Sequence, residues 1–574
     1  MTNASPGKRE RLRADVVFVG AGPASLAGAL HLARRVREYN EGSIPTPVAG
    51  MERRPLEAEI VVLEKARQVG QHNLSGAVLN PSVLRELVPD FETRQFPGGM
   101  RIEDDRFVFL SRRAALQVPS FLIPPANHNR GFWTVSLQRL TAWLAALCEE
   151  AGVQIFPDTT AVGLEMKGRA VSGVLTGDKG LGRDGAPKSN YQPGIVLEAQ
   201  VTVLGEGPRG TLAEDLIHAL ELNRDCNPQI YSLGVKEIVR VPEARARAGT
   251  VVHTMGYPLA DSAFGGGFLY SMEPDLFSVG LVASLAWGDP NFDAQTHLQL
   301  LKAHPYVHEF LRGGEVLSYG AKTIPEGGHW SLPRPYAAGA LLIGDSAGFV
   351  NIRQLKGIHY AMKSGMLAAE TAFEALVAGD ASEERLSGYA RRLADSVVHR
   401  DLYRDRNFRH AFHGGFRAGL IKSQVNAFLG GGPRRRPRLE PDHASLRPSP
   451  PRAQTKPKLP SDSNLFIDKL TAVYKSGTVH REDQPSHIHI VDPGRCTDTC
   501  IPRFGTAPCT HFCPANVYEL VGERSEQHIQ VNFANCVHCK TCVILDPIDA
   551  LETDNLQNID WRAPAEGGPK YNLL

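Results

Sequence analysis

The stretch Asp15-Val16-Val17-Phe18-Val19-Gly20-Ala21-Gly22-Pro23-Ala24-Ser25 decides the fold. Its first five residues are an apolar run of buried-strand type, and the next six form a glycine-rich turn. Leu26, Ala29, Leu30, Ala33 and Val36 then recur at helical spacing. Strand, tight turn and helix in that order put backbone N–H groups and the positive end of a helix dipole at one point, which suits a dinucleotide pyrophosphate. Gly20 and Gly22 allow close backbone approach. Ser25 stands at the third small position and is still small enough for helix–strand packing. A second strand, Ile60-Val61-Val62-Leu63, ends on Glu64, whose carboxylate can accept from a ribose hydroxyl. A Pro/Gly-bearing insert, roughly residues 39–57, delays that acid along the chain. A glycine turn alone is compatible with a merely structural bend. The whole order of strand, turn, helix, strand and acid favours dinucleotide binding.

Two further segments favour FAD over NAD. Residues 201–207 run a strand into the turn Gly205-Glu206-Gly207, and residues 340–348 do the same with Gly344-Asp345. Asp345 is suited to bond a ribityl hydroxyl. A helix beginning near Gly357 would aim its first amides at the flavin pyrimidine edge and stabilise the anionic reduced ring. Each segment by itself also reads as a buried strand ending in a polar turn.

With 574 residues the chain exceeds one ordinary domain, and three or four are expected. Lys and Arg number 63 against 62 Asp and Glu, so a nucleic-acid binder with a broad basic face is not expected. No apolar run reaches the ~20 residues needed to span a bilayer, and Met1 to Arg13 lacks the apolar core of a secretory signal. Nine cysteines are present, seven of them between Cys496 and Cys542. That crowding at one end points to metal in a reducing compartment rather than to a disulfide scaffold. Cys148 and Cys226 stand apart and read as buried thiols.

Cys536-Val537-His538-Cys539-Lys540-Thr541-Cys542 is a C-x2-C-x2-C triplet, and Cys513-Pro514 stands upstream. Three thiolates two residues apart wrap one face of an iron–sulfur cubane, and a distant Cys-Pro closes it. Zinc is the competing reading, but it favours cysteine pairs. His538 reads as a solvated spacer. The remaining Cys500-x8-Cys509-x3-Cys513-Pro514 is similar to the first half of a two-cluster ferredoxin, with Asp546-Pro547 where the second half would carry its last Cys-Pro. Cys496, Cys500, Cys509 and Asp546 are therefore candidates for a second cluster, [3Fe–4S] or [4Fe–4S]. The alternative is unligated or disulfide-prone thiols.

Flavin motifs at the front and a cluster module at the back resemble one family, the electron-transfer flavoprotein:ubiquinone oxidoreductases. The resemblance runs over about residues 14–574. It is carried by Gly20–Ser25, Leu74-Ser75-Gly76-Ala77, Asp184–Lys188, Gly265-Gly266-Gly267-Phe268-Leu269-Tyr270, Leu355–Gly365, Asp483–His487, Phe512–Ala515, Asn535–Thr541 and Gly567–Asn572. It implies a fold of α/β and α+β parts. These are an FAD-binding Rossmann-like domain of the glutathione reductase/hydroxylase type, an inserted mixed-sheet quinone-binding domain and a C-terminal ferredoxin-like cluster domain. The expected division is a disordered N-terminus (1–13), an FAD domain (about 14–110, 130–220 and 335–430), a quinone and membrane-contact domain (about 74–130 and 221–334), a linker (431–460) and a cluster domain (461–574). By position Cys513, Cys536, Cys539 and Cys542 would hold a [4Fe–4S] cluster, and Gly265 and Gly266 would approach the quinone headgroup. The implied activity takes electrons from reduced electron-transfer flavoprotein and passes them through the cluster and FAD to a membrane quinone. Where the family commonly has an arginine near residue 136, this chain has Ser136, and Arg139, one helical turn on, is the candidate replacement. The rival reading is a flavin-dependent hydroxylase or prenyl-lipid reductase with a fused ferredoxin module.

Residues 430–460 hold eight prolines, eight Lys or Arg and two acids, a composition expected of an extended linker. Before it, Phe408, Phe412, Phe416 and Leu420 are spaced by four, Ile421, Val425 and Phe428 continue the stripe, and Arg404, Arg406, Arg409, Arg417 and Lys422 flank it. That pattern fits a basic interfacial helix, although such a stripe read alone is more often core. The family resemblance favours membrane contact at 404–430. It makes 74–95, with Leu79, Val83, Leu87 and Phe91, a second candidate. The implied location is monotopic, on the cytoplasmic face of a bacterial inner membrane.

Overall fold

A computed structural model describes residues 9–571 apart from 49, 75, 260–262, 450–458, 524–525 and 547–557. Ser75, Pro547, Asn572, the first eight residues and the middle of the linker therefore lie outside the described residues. The expected disordered start gives way before residue 13. Strand Arg11–Val19 already includes Arg11 and Arg13, which donate to Glu198 on the adjacent strand at 2.8 and 3.2 Å.

The nucleotide-binding sheet runs Tyr336–Ala337, Ala340–Leu342, Val196–Leu204, Arg11–Val19, Ile60–Leu63, Gln154–Phe156. Along this order all neighbours are parallel except the first pair, and Ala170–Thr176 branches off antiparallel to Val196–Leu204 with Ala161–Lys167 antiparallel beyond it. Val17, Phe18, Val62 and Val203 are wholly buried, as strands covered on both faces must be. Helix Pro23–Asn40 crosses helix Ile358–Ala378 where Gly28 faces Gly365. A Cβ on Gly28 would stand 2.8 Å from the Gly365 carbonyl, so glycine sets the close crossing that brings both helix N-termini to the sheet's carboxyl edge.

The second sheet runs Glu315–Pro325, Tyr231–Arg240, Leu276–Ser284, Gly265–Glu273, Thr250–Gly256, Asp104–Leu110, Ala115–Gln117. It is antiparallel except for the pairing of Thr250–Gly256 with Asp104–Leu110.

The C-terminal part is not a separate lobe behind a linker. One apolar core extends from Val108 through the second sheet to Cys513, Cys536, Val543 and Trp561. The Tyr319 hydroxyl donates to the Pro514 carbonyl at 2.9 Å, and Thr323 donates from its hydroxyl to the Cys539 carbonyl at 2.9 Å. Part of the linker also packs. Leu439 and Leu446 are buried, and the buried Asp442 carboxylate accepts the Tyr231 N–H at 2.7 Å. Burial pushes that carboxyl up to about 8. Composition counted the prolines and arginines correctly, but a few apolar anchors and one buried acid suffice to fix this strap, while Arg434, Arg435 and Arg436 stay exposed.

The two apolar stripes depart from expectation in different ways. Leu79, Val83, Leu84, Leu87, Val88 and Phe91 are buried in the core of the nucleotide-binding domain, so the 74–95 membrane candidate is corrected: its stripe faces protein. The 404–430 segment breaks into a 3-10 turn, Arg409–Gly414, and a helix, Phe416–Phe428, at Gly415 (φ 96°).

Candidate functional site

A single cavity of about 850 Å³ lies between the two sheets. One end is the nucleotide end. Gly20, Gly22, Glu64, Gly207, Gly344, Asp345 and Gly357 all line it. A Cβ on Gly207 would meet nothing within 4 Å, and one on Gly22 nothing closer than 4.0 Å, so both glycines leave backbone open to the cavity. Both long helices begin here on glycine N-caps, Gly22 and Gly357, with no side-chain cap and no acid in the first turn. Their N-terminal amides are left for a ligand, which gives two anion-binding helix starts at this end of the cavity. Glu64 is buried, and its two oxygens accept the N–H groups of Ala21 (2.9 Å) and Ala66 (2.8 Å). The acid therefore fixes the glycine turn and is held rigidly at the cleft wall. Asp345 is half-buried and also lines this end. Desolvation pushes its carboxyl up to about 6, against the nearby Lys322. Open glycines, two uncapped helix starts and the acids Glu64 and Asp345 on the wall fit a flavin dinucleotide.

Three expected contacts sit elsewhere. Ser25 does not line the cavity; it is fully buried in the helix–sheet contact beside Gly205. Glu206 borders the cavity, but its carboxylate accepts the N–H groups of Thr211 (3.0 Å) and Ala213 (2.8 Å) and so caps helix Thr211–Ala219. Ser136 caps its own helix, and Arg139 pairs with Glu273 at 3.2 Å on the surface, so Arg139 does not replace a cofactor contact.

The cavity continues along strand Gly265–Glu273, where Gly265, Gly266 and Gly267 form its wall. Glycine is required there by the sheet. A Cβ on Gly265 (φ 151°) would stand 2.0 Å from the Val282 carbonyl oxygen, and one on Gly266 2.3 Å from that of Thr254. His253 and Tyr270, hydrogen-bonded at 2.8 Å, line the same wall. Tyr270 falls inside a quoted motif, whereas His253 carries no sequence signal. Phe408, Phe412, Phe416 and Leu420 close the far end from the cavity side. Arg409, expected to flank a lipid-facing stripe, is buried. Its guanidinium donates to Glu326 (3.2 Å) and Ser284 (2.7 Å) and covers the Phe264 ring. Arg406 is buried as well and donates to the carbonyls of Tyr403, Gly430 and Pro433. The Arg417 side chain lies outside the described residues; Lys422 is exposed.

At the other side, Cys513, Cys536, Cys539 and Cys542 line one small enclosed pocket, and all four are buried. His538 (φ 54°) and Lys540 (φ 67°) take left-handed backbone, which curls the triplet around that pocket. The His538 N–H donates to Cys536 Sγ and the Thr541 hydroxyl to Cys539 Sγ, both at 3.4 Å. Four thiols around a buried pocket, with N–H and O–H donors to the sulfurs, fit a cubane cluster. His538 is not a solvated spacer: it is buried against the rings of His480 (5.0 Å), His487 (5.3 Å) and Trp561 (5.4 Å), and burial holds it well below the usual histidine range. Lys540 and Trp561 line both the thiol pocket and the large cavity, so one residue layer separates them. The Lys540 ammonium lies 5.0 Å over the Trp561 ring. Trp561 gave no sequence signal because its partners are distant in the chain.

Comparison with known proteins follows this geometry. The family model described as "ETF-QO, ubiquinone-binding" matches residues 231–324, which cover the three-glycine strand. That described as "Electron transfer flavoprotein-ubiquinone oxidoreductase, 4Fe-4S" matches residues 463–572, which cover all four pocket thiols. The solved structure of a geranylgeranyl bacteriochlorophyll reductase-like protein from Thermoplasma acidophilum shares the fold, with a TM-score of 0.52 at 17% identity over 74% of this chain and 92% of that one. The electron transfer flavoprotein-ubiquinone oxidoreductase of Pseudomonas aeruginosa is 38% identical over 98% of this chain and 99% of its own length. The mitochondrial enzyme of that name from Oryza sativa is 37% identical over 99% of this chain and 94% of its own. At such identity along essentially the whole length, with both family segments falling on the cavity and the thiol pocket, the chain belongs to the electron transfer flavoprotein-ubiquinone oxidoreductase family.

Proposed function

We propose that this chain oxidises reduced electron-transfer flavoprotein and reduces a membrane quinone, ubiquinone or menaquinone, with FAD in the nucleotide end of the cavity and a [4Fe–4S] cluster on Cys513, Cys536, Cys539 and Cys542. One observation carries the reading: a single cavity runs from the nucleotide turns past Gly265–Gly267 to an apolar mouth, and shares the Lys540–Trp561 wall with the thiol pocket. When bound, a flavin exchanges one or two electrons and a cluster one, which suits a one-electron protein donor and a two-electron acceptor.

The residues do the rest. The N-termini at Gly22 and Gly357 hold the anionic dinucleotide, and Glu64 fixes the turn that receives it. Phe264, Phe408, Phe412 and Phe416 keep water from the acceptor end. Gly265–Gly267 give a flat backbone wall for a planar ring. The His253–Tyr270 pair stands where a quinone oxygen would need a hydrogen-bond partner.

The mouth supports a one-leaflet membrane contact. Phe109 and Phe416 lie 6.3 Å apart, joining hairpin Asp104–Gln117 to helix Phe416–Phe428 at the rim. Around it Leu116 (70% exposed), Phe121 (85%), Ile421 (70%) and Phe428 (92%) face outward. No described helix is long and apolar enough to cross a membrane. The surface met is, on this reading, the cytoplasmic face of a bacterial inner membrane.

Anaerobic stopped-flow mixing with reduced electron-transfer flavoprotein tests the proposal. Uptake of electrons followed by their appearance in a quinone analogue is expected. Failure to accept from that donor, with activity instead on oxygen or a prenylated substrate, would overturn it in favour of the hydroxylase or reductase reading.

A further inference from the structure

The C-terminal region holds a second set of cysteines that the four-thiol pocket does not use. Asp492 caps the short helix Pro493–Arg495, which runs straight into a one-turn π-helix, Cys496–Cys500. Wide π turns are rare and concentrate at functional sites. This one brings Cys496 and Cys500, four residues apart, toward one face. The chain continues through Ile501–Phe504, reverses at Gly505 (φ 68°) and returns as Pro508–Phe512. That return carries Cys509 into the core that also buries Cys500, Phe504 and Phe512.

Asp546 comes to the same place from the far end. Its Oδ2 accepts the N–H groups of Asn558 (2.5 Å) and Ile559 (2.7 Å), and it is 1% exposed. The side-chain amide of Asn558 reaches back to Cys496 Sγ at 3.7 Å, so one residue ties the acid and the first thiol together. Three thiols and a hydrogen-bonded carboxylate are thus gathered at one end of the C-terminal core, and ligating carboxylates are held by such hydrogen bonds.

The chain order is that of two interlocked clusters. In a two-cluster ferredoxin the last cysteine of each Cys-rich run ligates the other cluster. Cys513 follows Cys509 by one helical turn, its N–H facing the Cys509 carbonyl at 3.3 Å, yet it lines the triplet pocket. Asp546 follows Cys542 by four residues and leaves the triplet for the Cys496–Cys509 side. Each run hands its final ligand across.

We infer that Cys496, Cys500, Cys509 and Asp546 bind a second [4Fe–4S] cluster, with three thiolate corners and one carboxylate corner. The inference rests on the proposed function only in taking Cys513 and the triplet for the first cluster, and its test counts the two separately. Iron and acid-labile sulfide are measured on anaerobically reconstituted full-length protein. About eight of each per chain are expected, since each cubane holds about four; about four of each would overturn the inference while leaving the first cluster standing. Zinc at the second site with sulfide near about four would overturn it as well. In Cys500→Ser/Cys509→Ser protein the count should halve while one spin-resonance signal persists on reduction. An unchanged count would place the iron elsewhere. Asp546→Ala should lose one iron but no sulfide and gain the oxidised-state signal of a three-iron cluster, whereas an undisturbed spectrum would remove the carboxylate from the ligand set.

Discussion

Residues 79–91 and 404–430 carry the same kind of apolar stripe, spaced by four and flanked by charge, yet they end in different surroundings. The first is wholly interior, packed with the helices and sheet of the nucleotide-binding domain. The second divides across its own axis: Phe408, Phe412, Phe416 and Leu420 line the cavity, while Ile421, Val425 and Phe428 face outward. Periodicity reports that one face avoids water. It does not say whether protein, ligand or lipid does the covering.

Arg409 gives the largest lever on that contrast. Replacing it with Leu strands Glu326, whose carboxyl burial already raises, and should cost about 3–5 kcal/mol, seen as a large fall in Tm. If Arg409→Leu folds normally and only loses vesicle binding, the stripe is lipid-facing on that side after all. Next, Leu87→Ala in the first stripe should destabilise by about 2–5 kcal/mol, measured by urea unfolding, with vesicle flotation of the folded fraction unchanged. A flotation defect there would restore 74–95 as a membrane element. Phe428→Asp should leave the unfolding free energy within about 0.5 kcal/mol of the parent but weaken binding to liposomes by about 2 kcal/mol, the value of one buried aromatic side chain. Turnover with a short, water-soluble quinone should persist. Smallest of all, Lys422→Glu should weaken binding to anionic vesicles by about 1–2 kcal/mol and leave neutral vesicles unaffected. A matching effect on both would argue against an electrostatic contribution.

The two cysteine groups were legible to different depths. The triplet and Cys513-Pro514 could be matched to a pocket because four thiols at standard spacing admit few other arrangements, and all four line it. Asp345, Gly357 and Glu64 were readable because each ends or begins an element whose pattern is local. Glu206 was misread because a carboxylate after a strand can face a ribose or cap the next helix, and only the course of residues 207–213 decides. His538 was misread for a related reason: its spacing says nothing of the histidine and tryptophan rings folded over it.

By itself the sequence determined the glycine turn at Gly20–Ser25, the acids Glu64 and Asp345 at strand ends, the C-x2-C-x2-C triplet and the order of the three parts, since each is written in contiguous residues with their own periodicity or spacing. Tertiary structure alone decided that the C-terminal cysteines share a core with the second sheet. It also decided that Lys540 and Trp561 form the wall between thiol pocket and cavity, and which side of the 404–430 stripe is covered. Those facts depend on contacts between residues hundreds of positions apart, where burial is a property of the assembled surfaces and no local pattern encodes the partner.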